Sequence, residues 1–181
     1  MNARMLRGEM TGLRARHDSD IPVLHAELYD DVATRVRADS RPWRPIPPGP
    51  DSPYRVTGPD DHAACFSVVE LATGELAGEA LLWDIDLHNR TAHIGISLLP
   101  ASRGRRLGTD AVRVLCRYGF AIRGLHRLQA ETLAGNVAMI QAASRCGFRR
   151  EGTLRRSAWV NGDFADEAIL GLVAAEWEAT Y

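Results

Sequence analysis

The chain has no lysine: all 22 of its basic residues are arginine, as GC-rich coding would produce. A lysine-directed activity could therefore never modify this protein's own side chains. Cysteine is scarce as well. Cys65, Cys116 and Cys146 are odd in number and far apart, with neither a C-x-x-C pair nor a neighbouring histidine. That argues against a disulfide framework and against a metal site, and leaves reduced, mostly buried thiols of a cytoplasmic protein as the expectation. An excess of either charge is missing too: 22 basic against 23 acidic residues give a net charge of −1. No global field then draws the protein to nucleic acid or to an anionic membrane, and any recognition of anions must be local. No window approaches the roughly 20 apolar residues that span a bilayer. The first residues, M-N-A-R-M-L-R-G-E-M-T, lack an apolar stretch of the kind a signal peptide needs.

What remains is the composition of a soluble globular domain, 181 residues with 45% apolar and 25% charged side chains. That is enough for one domain, 1–181, with a proper core. Gly8 to Arg16 alternates like a short strand. Asp18 or Ser19 then offers a helix N-cap, with Pro22 in the first turn. Seven of the nine prolines fall between Arg41 and Pro59. Proline fixes φ and removes a donor, so 41–59 is a loop: a structural strap, or a lid near the acceptor side. Trp43 and Tyr54 within it call for a surface to cover. Further on, Cys65 to Leu71 and Leu76 to Trp83 read as a hairpin, followed by a strand up to Leu99. Thr109 to Arg123 carries an amphipathic stripe (Ala111, Leu115, Tyr118, Ile122) and stops at Gly124. A strand from Arg127, a helix from Asn136 to Arg145, and two strands flanking Asn161-Gly162 complete a mixed α+β order around one sheet.

The segment with chemical content is S-R-G-R-R-L-G-T-D, Ser102 to Asp110. It joins a strand ending at Leu99-Pro100 to a helix starting near Leu107. Gly104 and Gly108 allow the backbone to turn sharply and approach a ligand. The first helix amides have no intrahelical partners and sit at the positive end of the helix dipole. Arg103, Arg105 and Arg106 add charge, so the segment suits a pyrophosphate; read alone, it is equally a solvated helix start.

The block resembles the coenzyme A pyrophosphate motif of the GNAT acetyltransferase superfamily, [QR]-x-x-G-x-[GA]. Arg103 matches its first position and Gly108 its last, while Arg106 replaces a usual glycine and fits if its φ is negative. The likeness runs from about Leu6 to Trp177 and is nearest the ribosomal-protein N-terminal acetyltransferases (RimJ/RimL-like). It is carried by A-H-I-G-I-S-L-L-P-A-S-R-G-R-R-L-G-T (92–109), His126-Arg127-Leu128, Asn136, Cys146-Gly147-Phe148 and Glu151 to Arg155. The resemblance implies the GNAT fold, with a central, mostly antiparallel sheet of about seven strands flanked by helices and one splayed strand pair. It implies acetyl-coenzyme A as co-substrate, no metal, an amine acceptor (a protein N-terminus or a small molecule) and a homodimer. Pantetheine would fill the splay between a bulged strand Ile94 to Leu99 and the strand Arg127 to Leu133, pairing with backbone groups of Ile96 and Leu98. The phosphates would meet Arg103, Gly104, Arg105, Arg106, Leu107, Gly108 and Thr109. The amide of Leu98 or Leu99 would hold the developing oxyanion. Asn136 would touch the pantetheine arm, shape the splay, or simply cap its helix.

Transfer to an amine also needs a base. Glu79, His93 and Glu131 are the alternatives, and a histidine with a reference pKa near about 6.5 suits an ammonium proton at neutral pH. Each taken singly reads more readily as an ordinary surface or interface residue. The family's usual acids are absent, with Ala143 where a tyrosine and Met139 where a serine would stand. Cys116 and Cys146 read as core, Trp83, Trp159 and Trp177 as core or subunit contacts, and Asp84, Asp86 and His88 as a solvated hairpin tip. The reading is thus an acetyl-coenzyme A-dependent N-acetyltransferase, with a non-catalytic coenzyme A sensor of the same fold as the alternative. A nucleotide phosphate loop is disfavoured because no G-K-[ST] is present.

Overall fold

A computed structural model of the chain describes residues 5–38 and 41–178. The first residues of the stretch read for a leader, and both ends of the expected 1–181 domain, lie outside the described residues. The strands are β1 Met5–Arg7, β2 Thr11–Ala15, β3 Ala64–Glu70, β4 Leu76–Asp86, β5 Thr91–Leu98, β6 Arg127–Leu133, β7 Arg149–Val160 and β8 Asp163–Val173. They form one sheet in the order β1-β2-β3-β4-β5-β6-β8-β7, and among the described strands only β5 and β6 pair in parallel. The helices are α1 Ile21–Leu24, which widens into a turn at His25–Tyr29, then α2 Val32–Ala38, α3 Leu107–Arg117, α4 Val137–Arg145 and α5 Ala174–Glu178.

The sheet has eight strands instead of seven because 8–16 is not one strand. Gly8 donates to the Thr11 carbonyl at 2.8 Å and turns the chain back, so β1 and β2 form a hairpin. Neither Asp18 nor Ser19 caps α1; the residue before it is Asp20, whose carboxylate is held by Arg14, Ser67 and the His17 amide. The helix expected from Thr109 starts at Leu107 and widens from Tyr118 to Ile122, with Gly124 (φ +64°) past its end. Asn161 and Gly162 have φ of +50° and +92°, as the tight β7–β8 hairpin requires.

Alternation along the strands sends one set of side chains to each face. On one face Leu13, Val68, Ala80, Leu82 and Ile94 pack with Leu107, Ala111, Val114 and Leu115 of α3. Each fully buried Leu, Val or Ile contributes roughly 2 kcal/mol relative to exposure. On the other face Leu24, Leu28, Tyr29, Tyr54 and Leu99 pack with Trp43 and Ile46. The proline-rich loop is therefore a strap. His25 is buried between its Ser52 hydroxyl (Nδ1, 2.8 Å) and its Ile46 carbonyl (Nε2, 2.9 Å), and the Trp43 indole donates to the Tyr29 carbonyl. Cys116 and Cys146 are buried as expected, whereas Cys65 is exposed. Trp177 packs against the core. Trp83 (41% exposed) and Trp159 (62%) are not core residues.

One relationship within the sheet positions everything below. β5 and β6 pair only at Thr91↔Arg127, Ala92↔Leu128 and His93↔Gln129. Beyond that point β5 stays with β4 as far as Leu98, and β6 stays with β8 as far as Leu133. The two strands part, leaving two edges facing each other across a gap. The expected bulge within 94–99 is absent, because the β4–β5 register runs unbroken from Gly78↔Leu98 to Trp83↔His93. The irregularity falls instead in β4 between Trp83 and Asp86, where Asp84 has φ +50°.

Candidate functional site

Leu99 donates to the Ala77 carbonyl at 2.9 Å. In an antiparallel ladder inward and outward groups alternate, so residues 97 and 95 also turn to β4, while the backbone of Ile96 and Leu98 faces the gap. Leu99 is thereby excluded as an oxyanion donor, and the amides of Ile96 and Leu98 are the ones presented. The Leu98 carbonyl accepts from Arg103 Nε at 3.0 Å, which fixes that side chain beside the strand end. Just past β6, the Ala134 amide donates to the Asp166 carbonyl of β8, so Glu131 and Leu133 present their backbone to the gap.

The gap opens into a cleft of about 810 Å³ lined by Ile96, Ser97, Leu98, Gly104, Gly108, Thr109 and Asn136. A one-turn 3-10 segment at Pro100–Ser102 and Gly104 (φ +72°) carry the chain from β5 to α3. The residue before α3 is Arg106, with φ +64° and ψ 1°. The negative φ that would let an arginine fit there without strain is not found: Arg106 adopts the left-handed conformation natural to glycine, at a cost of roughly 1 kcal/mol. The chain must reverse at this point for α3 to start beneath the gap. No side-chain cap satisfies the start of α3, and its first bonded amide is Asp110, which donates to the Arg106 carbonyl at 3.3 Å. The amides of Leu107, Gly108 and Thr109 are left for an external acceptor.

Arg103, Arg106 and Arg145 line the cleft. Arg105 does not; its guanidinium is paired with Glu70. Leu107 offers only its backbone, since its side chain is fully buried in the core. Asn136 caps α4: its Oδ1 accepts from the Met139 amide at 3.2 Å and its Nδ2 donates to Thr132 at 2.9 Å. It thereby ties β6 to α4 along the lip of the gap.

The facing wall is one that sequence reasoning missed. Leu28, Thr34, Arg35 and Arg37, with Tyr54 from the strap, line the same cleft. The aromatic residues in the proline-rich loop hinted at Tyr54; nothing local to α2 singled out its arginines. Arg35 donates to the Tyr54 hydroxyl at 3.4 Å and lies over the Tyr29 ring at 5.1 Å. Burial pushes the Tyr54 phenol well above its ordinary range, and the Glu79 charge adds to this against the opposing charges of Arg35 and Arg16. The phenol is therefore protonated at neutral pH.

None of the three base candidates lines the cleft among the described residues. Glu79 is bound by Arg16 at 2.7 Å, with both side chains nearly buried. His93 and Glu131 come together at the root of the gap. His93 Nδ1 is 3.8 Å from Glu131 Oε1, and its Nε2 is 4.0 Å from Asp84. The ring stacks on Trp83 with centroids 4.3 Å apart, and Glu131 is oriented by Gln129 at 2.7 Å. Asp86 accepts from the His88 and Asn89 amides and shapes the β4–β5 turn.

The donor set fits the phosphates of coenzyme A. Uncapped helix amides, Gly104 and three arginines converge where an anion would sit, and no carboxylate lines the cleft among the described residues. Among them, no group of acidic, cysteine and histidine side chains is arranged to hold a metal ion. No helix among them is long and apolar enough to cross a membrane.

Comparison with known proteins accords with this geometry. Residues 11–149 match the family model described as an acetyltransferase (GNAT) domain. Two provisionally named proteins of Bacillus subtilis (strain 168) are among the relatives. The N-acetyltransferase YjcK is 32% identical over 46% of this chain and 46% of its own length. The ribosomal N-acetyltransferase YdaF is 33% identical over 60% of this chain and 59% of its own length. The chain thus spans about half to three fifths of these relatives. A solved spermidine N-acetyltransferase from Vibrio cholerae, in complex with CoA and spermine, has the same fold. It superposes with a TM-score of 0.77 at 19% identity, covering 93% of this chain and 98% of that one.

Proposed function

This chain belongs to the acetyltransferase (GNAT) domain family, and we propose that it moves the acetyl group of acetyl-coenzyme A directly to a primary amine. The parting of β5 and β6 next to the uncapped start of α3 carries this reading. The pyrophosphate would rest on the amides of Leu107, Gly108 and Thr109 between Arg103 and Arg106. Pantetheine would lie in the gap like an added strand, against the backbone of Ile96 and Leu98. One of these two amides then receives the carbonyl oxygen as it becomes an oxyanion.

Attack forms the C–N bond, and collapse of the tetrahedral intermediate breaks the C–S bond. The ammonium proton goes to His93 through water, with the Glu131 carboxylate beside the ring to stabilise its protonated form. Glu79 is the weaker choice because Arg16 stabilises its charged form. The departing thiolate is a good enough leaving group to go without a dedicated acid and takes its proton from water, the family's tyrosine and serine being absent. The ordered motifs from Ala92 to Arg155 support a position near the RimJ/RimL-like branch.

Release of coenzyme A thiol from acetyl-coenzyme A, followed with a panel of peptide and small amines, tests the proposal. Turnover that falls with Arg103→Ala and Gly108→Asp is expected. Tight coenzyme A binding with no release on any acceptor would instead make the protein a coenzyme sensor.

A further inference from the structure

We infer that Arg127 and Gln129, anchored by Glu151, are positioning residues for the proton transfer: they aim the Glu131 carboxylate at the His93 ring. This rests on the reading of His93 as the base. Arg127 and Glu151 belong to two motifs of the family resemblance, H-R-L and E-G-x-L-R, and neither lines the cleft. Their strands, β6 and β7, flank β8 on either side. The two side chains meet over Gly171 of β8, where both guanidinium nitrogens bond the Glu151 carboxylate, Nη1 at 2.8 Å. A Cβ on Gly171 would strike both of them, so glycine is the seat of the pair. The Arg127 bond lowers the Glu151 pKa, and both groups stay charged at neutral pH.

From Arg127 a chain of side chains runs along β6 to the root of the gap. Arg127 Nη2 donates to Gln129 Oε1 at 3.0 Å, and Gln129 Nε2 donates to Glu131 Oε1 at 2.7 Å. One amide orientation serves both neighbours, because arginine offers donors alone and a carboxylate acceptors alone. Positions 127, 129 and 131 alternate with the buried Leu128 and Ala130, as His93 does with Ala92 and Ile94, so all four side chains share a face. Glu131 Oε1 then stands 3.8 Å from His93 Nδ1, which has no hydrogen-bond partner among the described residues. The carboxylate therefore acts on the ring through its charge, and where it points decides how strongly. Asp84 is the other charge at the ring, 4.0 Å from Nε2, but it is 76% exposed against 31% for Glu131 and is more screened. Glu151 offsets the charge of Arg127, so the chain conveys orientation to Glu131 through a neutral amide. A direct Arg127–Glu131 pair would instead cancel the charge that the imidazolium needs.

The test uses the intact protein with acetyl-coenzyme A and an amine it turns over, with NMR titration of the His93 ring beside the kinetics. Gln129→Leu cuts the chain without removing a charge. It should lower kcat about threefold to fivefold and leave KM for acetyl-coenzyme A within about twofold. It should also move the acid limb of kcat to lower pH by about half a unit, because the displaced carboxylate no longer favours the imidazolium. Arg127→Lys keeps the charge but loses the fork, and should act in the same direction. In a Glu131→Gln background, Gln129→Leu should lower kcat no further. Losses that add in the double variant, or an acid limb that stays in place, overturn the inference and leave Arg127 and Glu151 as a staple between β6 and β7. A ring titration unchanged in both Gln129→Leu and Arg127→Lys overturns it too, whatever the turnover. A ring titration that shifts while kcat stays at the wild-type value upholds the aim of Glu131 and overturns His93 as the base.

Discussion

Asp110, on the first turn of α3, accepts two hydrogen bonds from one residue 99 positions away: the Thr11 amide at 2.8 Å and the Thr11 hydroxyl at 2.7 Å. The Met10 and Glu9 amides join them at 2.9 and 3.2 Å. A carboxylate that is 3% exposed thus closes the β1–β2 turn and ties it to α3. Asp110→Ala should cost about 3 kcal/mol, because several buried donors lose their acceptor together. Asp110→Asn, which keeps one acceptor oxygen, should cost less. Urea unfolding measures both, and a loss below about 1 kcal/mol for the alanine variant would remove the claim.

Arg106 holds a left-handed backbone at the start of α3. Replacing it with glycine relieves roughly 1 kcal/mol of steric strain and adds somewhat less unfolded-state entropy. Arg106→Gly should therefore be stabilising by up to about 1 kcal/mol, while Arg106→Ala, with the same φ, gains nothing. Thermal unfolding of the pair checks this. A glycine variant less stable than the alanine variant would refute it.

Acid should weaken the fold through Asp20. Burial raises its pKa, but hydrogen bonds from Arg14, the His17 amide and Ser67, with the Arg14 charge, outweigh this and hold it at about 2. Asp110 is lowered as well, since the bonds from Met10, Thr11 and Glu9 outweigh its burial. A depressed native pKa gives stability that is complete above the unfolded value and is lost as pH falls through the native one. For Asp20 the contribution is about 2 kcal/mol, disappearing between about pH 4 and pH 2. The unfolding midpoint against pH should show that slope, and Asp20→Asn should flatten it.

If His93 takes the ammonium proton, His93→Gln should lower kcat by about a hundredfold with little change in KM for acetyl-coenzyme A. Glu131→Gln, which removes the negative charge 3.8 Å from the ring, should lower it by about tenfold or less. Steady-state kinetics separate these outcomes, and an unchanged kcat in His93→Gln would return the base to Glu79 or to solvent.

The turn into α3 was legible in the sequence because local backbone rules govern it. Glycines and a helix start within 102–110, just past the end of β5, state where amides point. The parted strands were read from the same family pattern, and the parallel pairing stops after His93↔Gln129 as that pattern implies. The facing wall was not legible. Arg35, Arg37 and Tyr54 meet the cleft through packing of the strap on α1, and such long-range packing leaves no period in the sequence. The hairpin at Gly8 was missed for a similar reason, since its donors are satisfied by Asp110. Arg106 shows the opposite case. The sequence flagged the position but could not say whether the backbone or the side chain would yield.

The sheet is in effect two plates, β1–β5 and β6–β8, riveted by three residue pairs at one end. A coenzyme arm laid in the open end would act as a ninth strand and weld them along their length. Amide exchange should then slow at Ile96 and Leu98, and the plates should move less against each other. The ligand would serve as a mechanical member of the fold it visits.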